Sequence, residues 1–329
     1  MRILNADEVR RALPMKAAIA AMKDAYASLS DGTAVAPLRA RLSIPSRDAL
    51  SLFMPAYMKT DSTEALAIKI VSLYPSNPPR GLAYIQAAVI VFDAETGRAI
   101  ALLEGSSLTA IRTGAGSGAA VDLLARKDSR VLAIFGAGPQ ARTQIEAACA
   151  VRQIETVWVY SLNKEHAEEF AKDMAGHNSI PRDIRVAENP PQAVREADII
   201  CSATTSAAPV FADRDVKLGT HISAIGSYTP EMQEIPAETI QRARVIVDSR
   251  SAALAETGDL IAPLRTGMIA EEHIAAELGE VVLGRKAGRR SENEITYFKS
   301  VGVAVQDAVA AQIALKNAHA MNLGVEVEF

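Results

Sequence analysis

Cysteine is scarce in this sequence, and positive charge is not in excess. Cysteine occurs at two of the 329 positions, Cys149 and Cys201, and both lie in apolar runs. A disulfide framework is therefore not expected, and the chain suits a reducing compartment. The formal net charge of −4 argues against a general nucleic-acid or membrane-surface binder, because such proteins are usually basic.

Long apolar runs and clustered metal ligands are also missing. No apolar stretch approaches the ~20 residues of a membrane span. The N-terminus has no basic start followed by an apolar run, so we expect no signal peptide and a cytoplasmic protein. The five histidines show no metal-ligand spacing, so packing roles are expected for them and no metal site is predicted.

The first third of the chain has the pattern of an α+β domain. Apolar residues make up 49% of the chain, and its length is enough for about two domains. Residues 15–29 carry apolar side chains at helical spacing, and Gly32 follows as a C-cap. Strand patterns come next, at residues 50–56, 65–73, 84–92 and 99–103, the last two joined by a turn at 93–97. Antiparallel strands after a helix predict a domain for substrate binding or subunit contact.

The middle of the chain alternates between strands and helices. A helix is predicted at residues 107–125, and residues 131–135 are uniformly apolar, as in a parallel strand buried on both faces. A helix is predicted from Pro139 and another at 164–174. Further short strands are predicted at residues 156–160, 184–187, 199–203, 221–225 and 245–247. This rhythm predicts a doubly wound parallel sheet, and residues 303–320 read as a long final helix that packs on the first domain.

A glycine-rich turn lies between the predicted strand at 131–135 and its helix. In this turn Gly136 permits a tight turn, Gly138 lets the backbone approach a pyrophosphate, and Ala141 keeps the helix near the sheet. Pro139 fits the first helical turn, and the N–H groups of that turn, with Gln140, face phosphate oxygens. Residues 120–302 are thus predicted to form a Rossmann-type dinucleotide-binding domain of a nicotinamide-dependent oxidoreductase. The predicted fold class is α/β, with this Rossmann-type domain inserted into a second, α+β domain that binds substrate and mediates dimerisation, residues 1–119 and 303–329.

The end of the second predicted strand bears on the choice of cofactor. NAD enzymes usually place an acid there to hold the ribose 2′-OH, but Ser161 stands at that position. Lys164 could meet a 2′-phosphate, and Ser161 and Asn163 could hydrogen-bond it, or Lys164 could be only a solvated helix-start residue. NADPH is therefore predicted, with NADH as the alternative. Two further strand ends are predicted to border the nicotinamide ribose: Ala203, Thr204 and Thr205, and Gly226 and Ser227.

Several stretches together carry a resemblance to a known family. They are Lys69 with Tyr74-Pro75-Ser76-Asn77, Leu108-Thr109-Ala110-Ile111-Arg112-Thr113-Gly114-Ala115, the Gly136 turn, and Phe298-Lys299-Ser300-Val301-Gly302-Val303-Ala304-Val305-Gln306-Asp307. Over essentially its full length the chain resembles the ornithine cyclodeaminase/mu-crystallin family. The resemblance implies reduction of imines of 2-oxo acids, synthesis of amino acids from 2-oxo acids and ammonia, or cyclisation of ornithine. It also implies a homodimer in which the non-Rossmann domains pair.

The resemblance assigns roles to individual residues. Arg41 and Arg112 resemble the arginines that grip the substrate carboxylate, Lys69 the active-site lysine, and Thr113 a residue near the cofactor phosphates. The residue types agree, because an arginine fork binds a carboxylate bidentately and a lysine in an apolar strand is costly unless it is paired or functional. Lys69 could bind the carboxylate or donate a proton. Asp307 is either an orienting carboxylate or a charge at a helix start.

Two departures from the cyclodeaminase pattern favour an imine reductase. Tyr228 and Leu52 stand where cyclodeaminases carry acids, and Phe298-Lys299-Ser300 is similar to the ketimine-reductase and mu-crystallin branch. The prediction is NAD(P)H-dependent reduction of a cyclic ketimine 2-carboxylate, such as 1-pyrroline-2-carboxylate or 1-piperideine-2-carboxylate. The alternatives are an ornithine cyclodeaminase, an alanine-dehydrogenase-like reductive amination, an iminosuccinate-type acyclic imine reduction, and a crystallin-like protein that only binds NADPH. No nucleic-acid or membrane partner is predicted.

Overall fold

The computed structural model describes residues 1–61 and 63–328, and its chain divides into two compact units. Unit 1 is Met1–Arg112 with Val303–Phe329, and unit 2 is Thr113–Gly302. The first division falls within one helix, Gly105–Leu124, as does the predicted division after residue 119. The roles predicted for the two domains stay predictions. Within the described residues, no helix is long and apolar enough to cross a membrane.

The strands and helices follow the chain in three stretches. The first contains β1 (Arg2–Leu4), α1 (Ala6–Ala12), α2 (Met15–Asp31), β2 (Ala34–Val35), β3 (Ala40–Ile44), β4 (Ala49–Lys59), β5 (Glu64–Leu73), β6 (Ile85–Phe92), β7 (Ala99–Glu104) and α3 (Gly105–Leu124). The second contains β8 (Val131–Phe135), α4 (Pro139–Val151), β9 (Thr156–Tyr160), α5 (Lys164–Met174), β10 (Ile184–Val186), α6 (Pro190–Val194), β11 (Ile199–Ser202), β12 (His221–Ala224), α7 (Ala237–Arg242), β13 (Arg244–Val247), α8 (Arg250–Glu256), α9 (Gly258–Arg265), β14 (Ile274–Glu277), α10 (Leu278–Val282) and β15 (Thr296–Lys299). The third contains α11 (Ala304–Ala320) and β16 (Val325–Glu326).

Unit 1 is built on one mixed sheet. Its strand order is β16-β1-β7-β6-β5-β4-β2, and β3 also pairs with β4. The strands from β4 to β7 form an antiparallel meander. Residues of β5 alternate between buried and half-buried positions, and α11 packs against β4, β5 and α2. One face of the meander is therefore covered by a helix, and Lys69 lies on the buried positions of that strand.

Two local predictions for unit 1 are confirmed by the backbone. Helix α2 ends at Gly32, which adopts the left-handed conformation at φ 78° that a glycine C-cap supplies. The turn at 93–97 is held by the Asp93 carboxylate, which accepts hydrogen bonds from the backbone N–H groups of Glu95 and Thr96 at 3.1 and 2.7 Å. Both features depend on a residue at the bend itself, so the sequence pattern was sufficient.

Unit 2 has a parallel sheet of the Rossmann type. The strand order is β10-β9-β8-β11-β12-β15-β13-β14, and neighbouring strands are paired in parallel. The order reverses between β8 and β11, which creates a crevice at the carboxyl ends of these strands. Rossmann folds bind their ligands at that point. The predicted fold class, a doubly wound parallel sheet with a second α+β unit, is confirmed.

Candidate active site

A buried charge cluster lies between β5 and α11 in unit 1. Lys69 Nζ lies 2.8 Å from Asp307 Oδ2, and Arg112 Nε lies 2.9 Å from Asp307 Oδ1. The side chains of Lys69 and Asp307 are each 1% exposed and that of Arg112 is 7% exposed. Each oxygen of one carboxylate thus holds one cation. The structure brings together two of the three predicted substrate-binding residues.

The orientation of Arg112 is fixed by a second buried side chain. Gln306 Oε1 accepts a hydrogen bond from Arg112 Nη1 at 3.1 Å, and Gln306 Nε2 donates to the Tyr26 hydroxyl oxygen at 2.7 Å. Gln306 and Tyr26 are both fully buried. Because Nε and Nη1 of Arg112 are engaged in this way, Nη2 is the guanidinium nitrogen that these contacts leave for a ligand.

The cluster carries more positive than negative charge. Burial is the largest effect on Lys69, and together with the Arg112 charge it lowers the pKa of Lys69 to about 7, although Asp307 acts in the opposite direction. With Lys69 protonated, two cations face one carboxylate. An unbalanced buried charge is costly, and an incoming anion would neutralise it. The geometry therefore suits a ligand with a carboxylate.

Arg41 lies near the cluster by strand register but is not part of its ion pairs. Arg41 is exposed on β3 and pairs with Leu52 of β4, which in turn pairs with Val71, two positions beyond Lys69 on the same face of β5. Strands β3 and β5 flank β4, so their backbones lie ~10 Å apart. The charge of Arg39 also lowers the pKa of Lys69, after burial and Arg112. Arg41 stays a prediction, and Arg39 is a second cation on this segment.

The turn after β8 in unit 2 has the geometry of a phosphate loop. Gly136 has φ +100°, and a Cβ there would stand 2.6 Å from the carbonyl oxygen of Ala203. At Gly138, the N-cap of α4, a Cβ would meet no described atom within 4 Å. Pro139 is the first helical residue, and Ala141 is fully buried. The open space at Gly138 fits a pyrophosphate, as do the N–H groups of the first helical turn, including that of Gln140, which have no acceptor within the helix.

Two of the polar side chains after β9 already accept hydrogen bonds from nearby backbone N–H groups, which the sequence did not indicate. The Asn163 side chain caps α5 by accepting the N–H of His166 at 3.1 Å, and Ser161 Oγ accepts the N–H of Asn163 at 3.3 Å. Lys164 is exposed, with Nζ 3.7 Å from Glu168. An exposed pair of this kind is weak, so Lys164 can turn to a ligand phosphate. The cofactor roles of these three residues stay predictions.

In the Arg112-Thr113-Gly114 motif, the glycine is required by the close packing of two helices. Gly114 lies on α3, and a Cβ there would stand 2.5 Å from the carbonyl oxygen of Thr143 on α4. Only a residue without a side chain allows this approach of two helices. Thr113 is half-buried on α3, and its predicted role at the cofactor phosphates stays a prediction.

The predicted loops after β11 and β12 are joined by a carboxylate that sequence reasoning missed. Glu234 Oε1 accepts the N–H of Thr204 at 2.7 Å, and its Oε2 accepts the N–H groups of Gly226 and Ser227 at 2.6 and 3.1 Å. The Ser227 hydroxyl donates to the carbonyl oxygen of Met232 at 2.6 Å. Thr205 is exposed and Ala203 half-buried. Several polar groups that were predicted to contact the cofactor, those of Thr204, Gly226 and Ser227, therefore form hydrogen bonds within the protein. Their cofactor roles stay predictions.

Comparison with known proteins identifies the family. The sequence profile of the ornithine cyclodeaminase/mu-crystallin family matches residues 1–322. The chain belongs to this family. It is 40% identical, over 100% of both chains, to a Delta(1)-pyrroline-2-carboxylate reductase of Bacillus cereus.

Two solved structures of related enzymes resemble this family member closely. One is Thermococcus litoralis Delta(1)-pyrroline-2-carboxylate reductase in complex with NADH and L-proline, with a TM-score of 0.94, 40% identity and coverage of 99% of this chain and 100% of that chain. The other is an archaeal alanine dehydrogenase dimer with bound NAD, with a TM-score of 0.92, 32% identity and coverage of 100% and 99%. The resemblance inferred from sequence is confirmed.

Three residues of this family member were not assigned from the sequence and Asp307 was left with two interpretations, and one common reason explains all four. Asp307, Gln306 and Tyr26 matter because of partners far away in the chain, and Glu234 because of two loops that only the sheet brings together. For Asp307 and Gln306 a signal existed, because both lie in the stretch that carried the resemblance. Among the described residues, no group of three or more His, Cys, Asp or Glu is placed to hold a metal ion.

Proposed function

We propose that this protein reduces a cyclic ketimine 2-carboxylate, such as 1-pyrroline-2-carboxylate or 1-piperideine-2-carboxylate, to the amino acid with NAD(P)H. The observation that carries the proposal is the buried cluster of Lys69, Asp307 and Arg112 with its surplus positive charge. The names of the B. cereus and T. litoralis relatives support the same reaction. The open phosphate loop at Gly138 supports a dinucleotide.

The cluster of Lys69, Asp307 and Arg112 can bind the carboxylate of an imino acid, fix its orientation and provide a proton. The substrate carboxylate binds to Arg112 Nη2 and Lys69, because two cations and two carboxylates then form a neutral buried set. Asp307 and Gln306 hold the guanidinium in place, so orientation is fixed before the substrate arrives. A protonated C=N is far more electrophilic than a neutral one, and Lys69 acts in its protonated form whether it binds the carboxylate or protonates the imine nitrogen. The nicotinamide cofactor supplies hydride when bound.

The other reactions of the family are less well supported. Leu52 is buried on β4 and Tyr228 follows β12, at the two positions where cyclodeaminases carry acids. An apolar residue at the first position offers no partner for the cationic side chain of ornithine. Reductive amination of a 2-oxo acid and reduction of an acyclic imine such as iminosuccinate use the same carboxylate cluster, so the substrate screen decides among them. A protein that only stores NADPH needs no buried cluster of this kind.

The test is a spectrophotometric screen of imino and oxo acids, with and without ammonia, against NADPH and NADH. We expect oxidation of the reduced cofactor with a cyclic imino acid and no requirement for ammonia. Ornithine with catalytic NAD is the control, because a cyclodeaminase releases ammonia with no net cofactor turnover. Ammonia-dependent turnover of pyruvate, or activity only with iminosuccinate, would contradict the cyclic substrate. Cofactor binding without turnover of any of these acids would leave only the storage function.

NADPH is the proposed preferred cofactor, with NADH second, because Ser161 stands where an acid would repel a 2′-phosphate. Replacing Lys164 with alanine is expected to weaken NADPH binding by about threefold to tenfold, since an exposed charge contact contributes ~1 kcal/mol. NADH binding should not change. The measurement is the Kd of each cofactor by fluorescence titration, with Lys172→Ala on the same helix as the matched control. Wild-type protein that binds NADH tenfold more tightly than NADPH would contradict the preference.

A homodimer is proposed from the second face of the unit 1 sheet. Ile68 pairs with Ile90, and Ile90 pairs with Leu102, which forms an apolar row across β5, β6 and β7 on half-buried positions. The archaeal alanine dehydrogenase relative is a dimer, and a second copy of this face is the proposed occupant. Ile90→Lys is expected to convert a dimer to a monomer in analytical ultracentrifugation, because it places a charge in the row. Leu218→Lys, at an exposed position of unit 2, is the control. A monomeric wild-type protein contradicts the proposal.

A cytoplasmic location is proposed from the state of the thiols. Cys149 and Cys201 are both free and buried in one apolar cluster of unit 2. Burial raises the pKa of each thiol to about 12, so both are inert small apolar side chains. Such thiols suit a reducing compartment.

A further inference from the structure

Three loops meet at the carboxyl ends of β8, β11 and β12 in unit 2. A Cβ at Gly136 would stand 2.6 Å from the carbonyl oxygen of Ala203, and a Cβ at Gly226 would clash with the carbonyl oxygen of Thr204. The backbones of the loops therefore touch without side chains between them. Position 226 has no room for a side chain, because a Cβ there would also lie 2.6 Å from Glu234 Oε1.

Glu234 is the group that ties the second loop to the third. Its Oε1 accepts hydrogen bonds from the Thr204 N–H at 2.7 Å, the Thr204 hydroxyl at 2.8 Å and the Ser202 hydroxyl at 2.6 Å. Its Oε2 accepts the two N–H groups of Gly226 and Ser227. Glu234 is fully buried, and its own N–H donates to Asp259 Oδ1 at 2.7 Å.

The hydrogen-bond donors around Glu234 require that both of its side-chain oxygens act as acceptors. A backbone N–H can only donate, and each oxygen of Glu234 receives at least one such group. A glutamine of the same shape has one donating and one accepting end. Whichever way it is turned, its amide NH₂ faces a backbone N–H of Thr204 or of Gly226. The exchange of one atom thus breaks the bridge between the loops and leaves buried donors unpaired.

We propose that Glu234 is a positioning residue that sets the spacing of the β11 and β12 loops under the nicotinamide riboside half of the cofactor. The inference rests on the proposed function, because it takes those loops as the riboside contact. Ligands of open parallel sheets bind at this edge, on both sides of the switch point. The phosphate loop at Gly136 contacts the β11 loop at Ala203, whereas the Glu234 bridge holds Thr204, Gly226 and Ser227.

The experiment compares two ligands on Glu234→Gln. We expect the Kd of NADPH to rise by about tenfold or more, since several charge-assisted hydrogen bonds are disturbed. The Kd of 2′,5′-ADP, which lacks the nicotinamide riboside half, should stay within about twofold of wild type. Steady-state kinetics should show a raised KM for the cofactor and an unchanged KM for the imino acid. Should NADH prove to be the cofactor, NADH and ADP replace the two ligands.

The matched control is a buried carboxylate at the other end of the same sheet. Asp198 accepts the N–H groups of Arg130 and Val131 at 2.8 and 3.0 Å at the start of β8, so Asp198→Asn should lower Tm without changing either Kd. Ser202→Ala removes one hydroxyl donor to Glu234 and should raise the NADPH Kd by about threefold, which keeps a test available if Glu234→Gln does not fold. Equal loss of both ligands, or an unchanged NADPH Kd, overturns the inference alone. Wild-type protein that binds no dinucleotide overturns the proposed function with it.

Discussion

Arg112→Ala is expected to lower kcat/KM for a cyclic imino acid by about two orders of magnitude. Arg112 is buried, held by Asp307 and Gln306 within unit 1, and proposed to bind the substrate carboxylate. Truncating one partner of a buried, hydrogen-bonded charge pair costs about 2–5 kcal/mol. Such a loss corresponds to roughly 30-fold to several thousand-fold in kcat/KM. Both KM and kcat should be affected, because the contact binds the substrate and orients it.

Arg112→Lys separates charge from shape in this prediction. Lysine keeps the positive charge but lacks the planar fork that contacts Asp307 and Gln306 simultaneously, so we expect it to recover only a small part of the lost kcat/KM. The Kd of NADPH should be the same in both variants, because the phosphate loop belongs to unit 2. The measurements are steady-state kinetics with the cyclic imino acid and cofactor titration. An unchanged kcat/KM in Arg112→Ala would remove this residue from the substrate site.

Local patterns in the sequence were enough for much of unit 2. Strands β8 and β9 and helix α5 have the predicted limits, because uniformly apolar runs and helical spacing determine them locally. Gly136, which the sequence predicted to permit a tight turn, has a φ of +100°. Helix α1 was missed although its signal was present: Asn5 and Glu8 form a capping box, which is a recognisable helix start.

Strand β15 shows why other parts could not be predicted. It pairs with both β12 and β13, yet it has only four residues and includes Lys299, so its pattern does not predict a buried strand. The lysine is fully buried and lies 3.2 Å from Asp259 Oδ2. An ion pair between residues far apart in the chain makes the strand possible. Such long-range compensation is invisible to a window that moves along the sequence.

The same limit applies to the charge cluster. Lys69 was identified because a charge in an apolar strand is costly unless it is paired, but the pattern did not identify its partner. Asp307 had two open interpretations, an orienting carboxylate or a helix-start charge, and the ion pairs with Lys69 and Arg112 support the first. Sequence analysis can identify a charged residue in an apolar strand, such as Lys69. Its partner, Asp307, is identified only once the fold shows that the two lie close together.

The pH dependence of kcat/KM should follow the titration of Lys69. Its pKa is lowered to about 7, first by burial and then by Arg112, so the free enzyme loses the Lys69 proton as the pH rises through 7. The protonated form is the one that binds a carboxylate or protonates an imine. We therefore expect kcat/KM to be constant below this pKa and to fall tenfold per pH unit above it. Lys69→Met should lower kcat/KM by about 100-fold or more below pH 7, and this difference should shrink as the pH rises and wild type loses the same proton.

The pH profile of kcat should differ from the pH profile of kcat/KM, because the bound substrate changes the charge around Lys69. A bound carboxylate adds negative charge beside Lys69 and favours its protonated form, so kcat should fall only at a higher pH than kcat/KM. Lys69→Arg keeps the charge at every pH, and its kcat/KM should retain only the titration of the imine itself. Comparison of the two profiles thus separates the lysine from the substrate. If wild type and Lys69→Arg fall with the same pKa, the titrating group is the imine and the proposed role of the Lys69 proton is wrong.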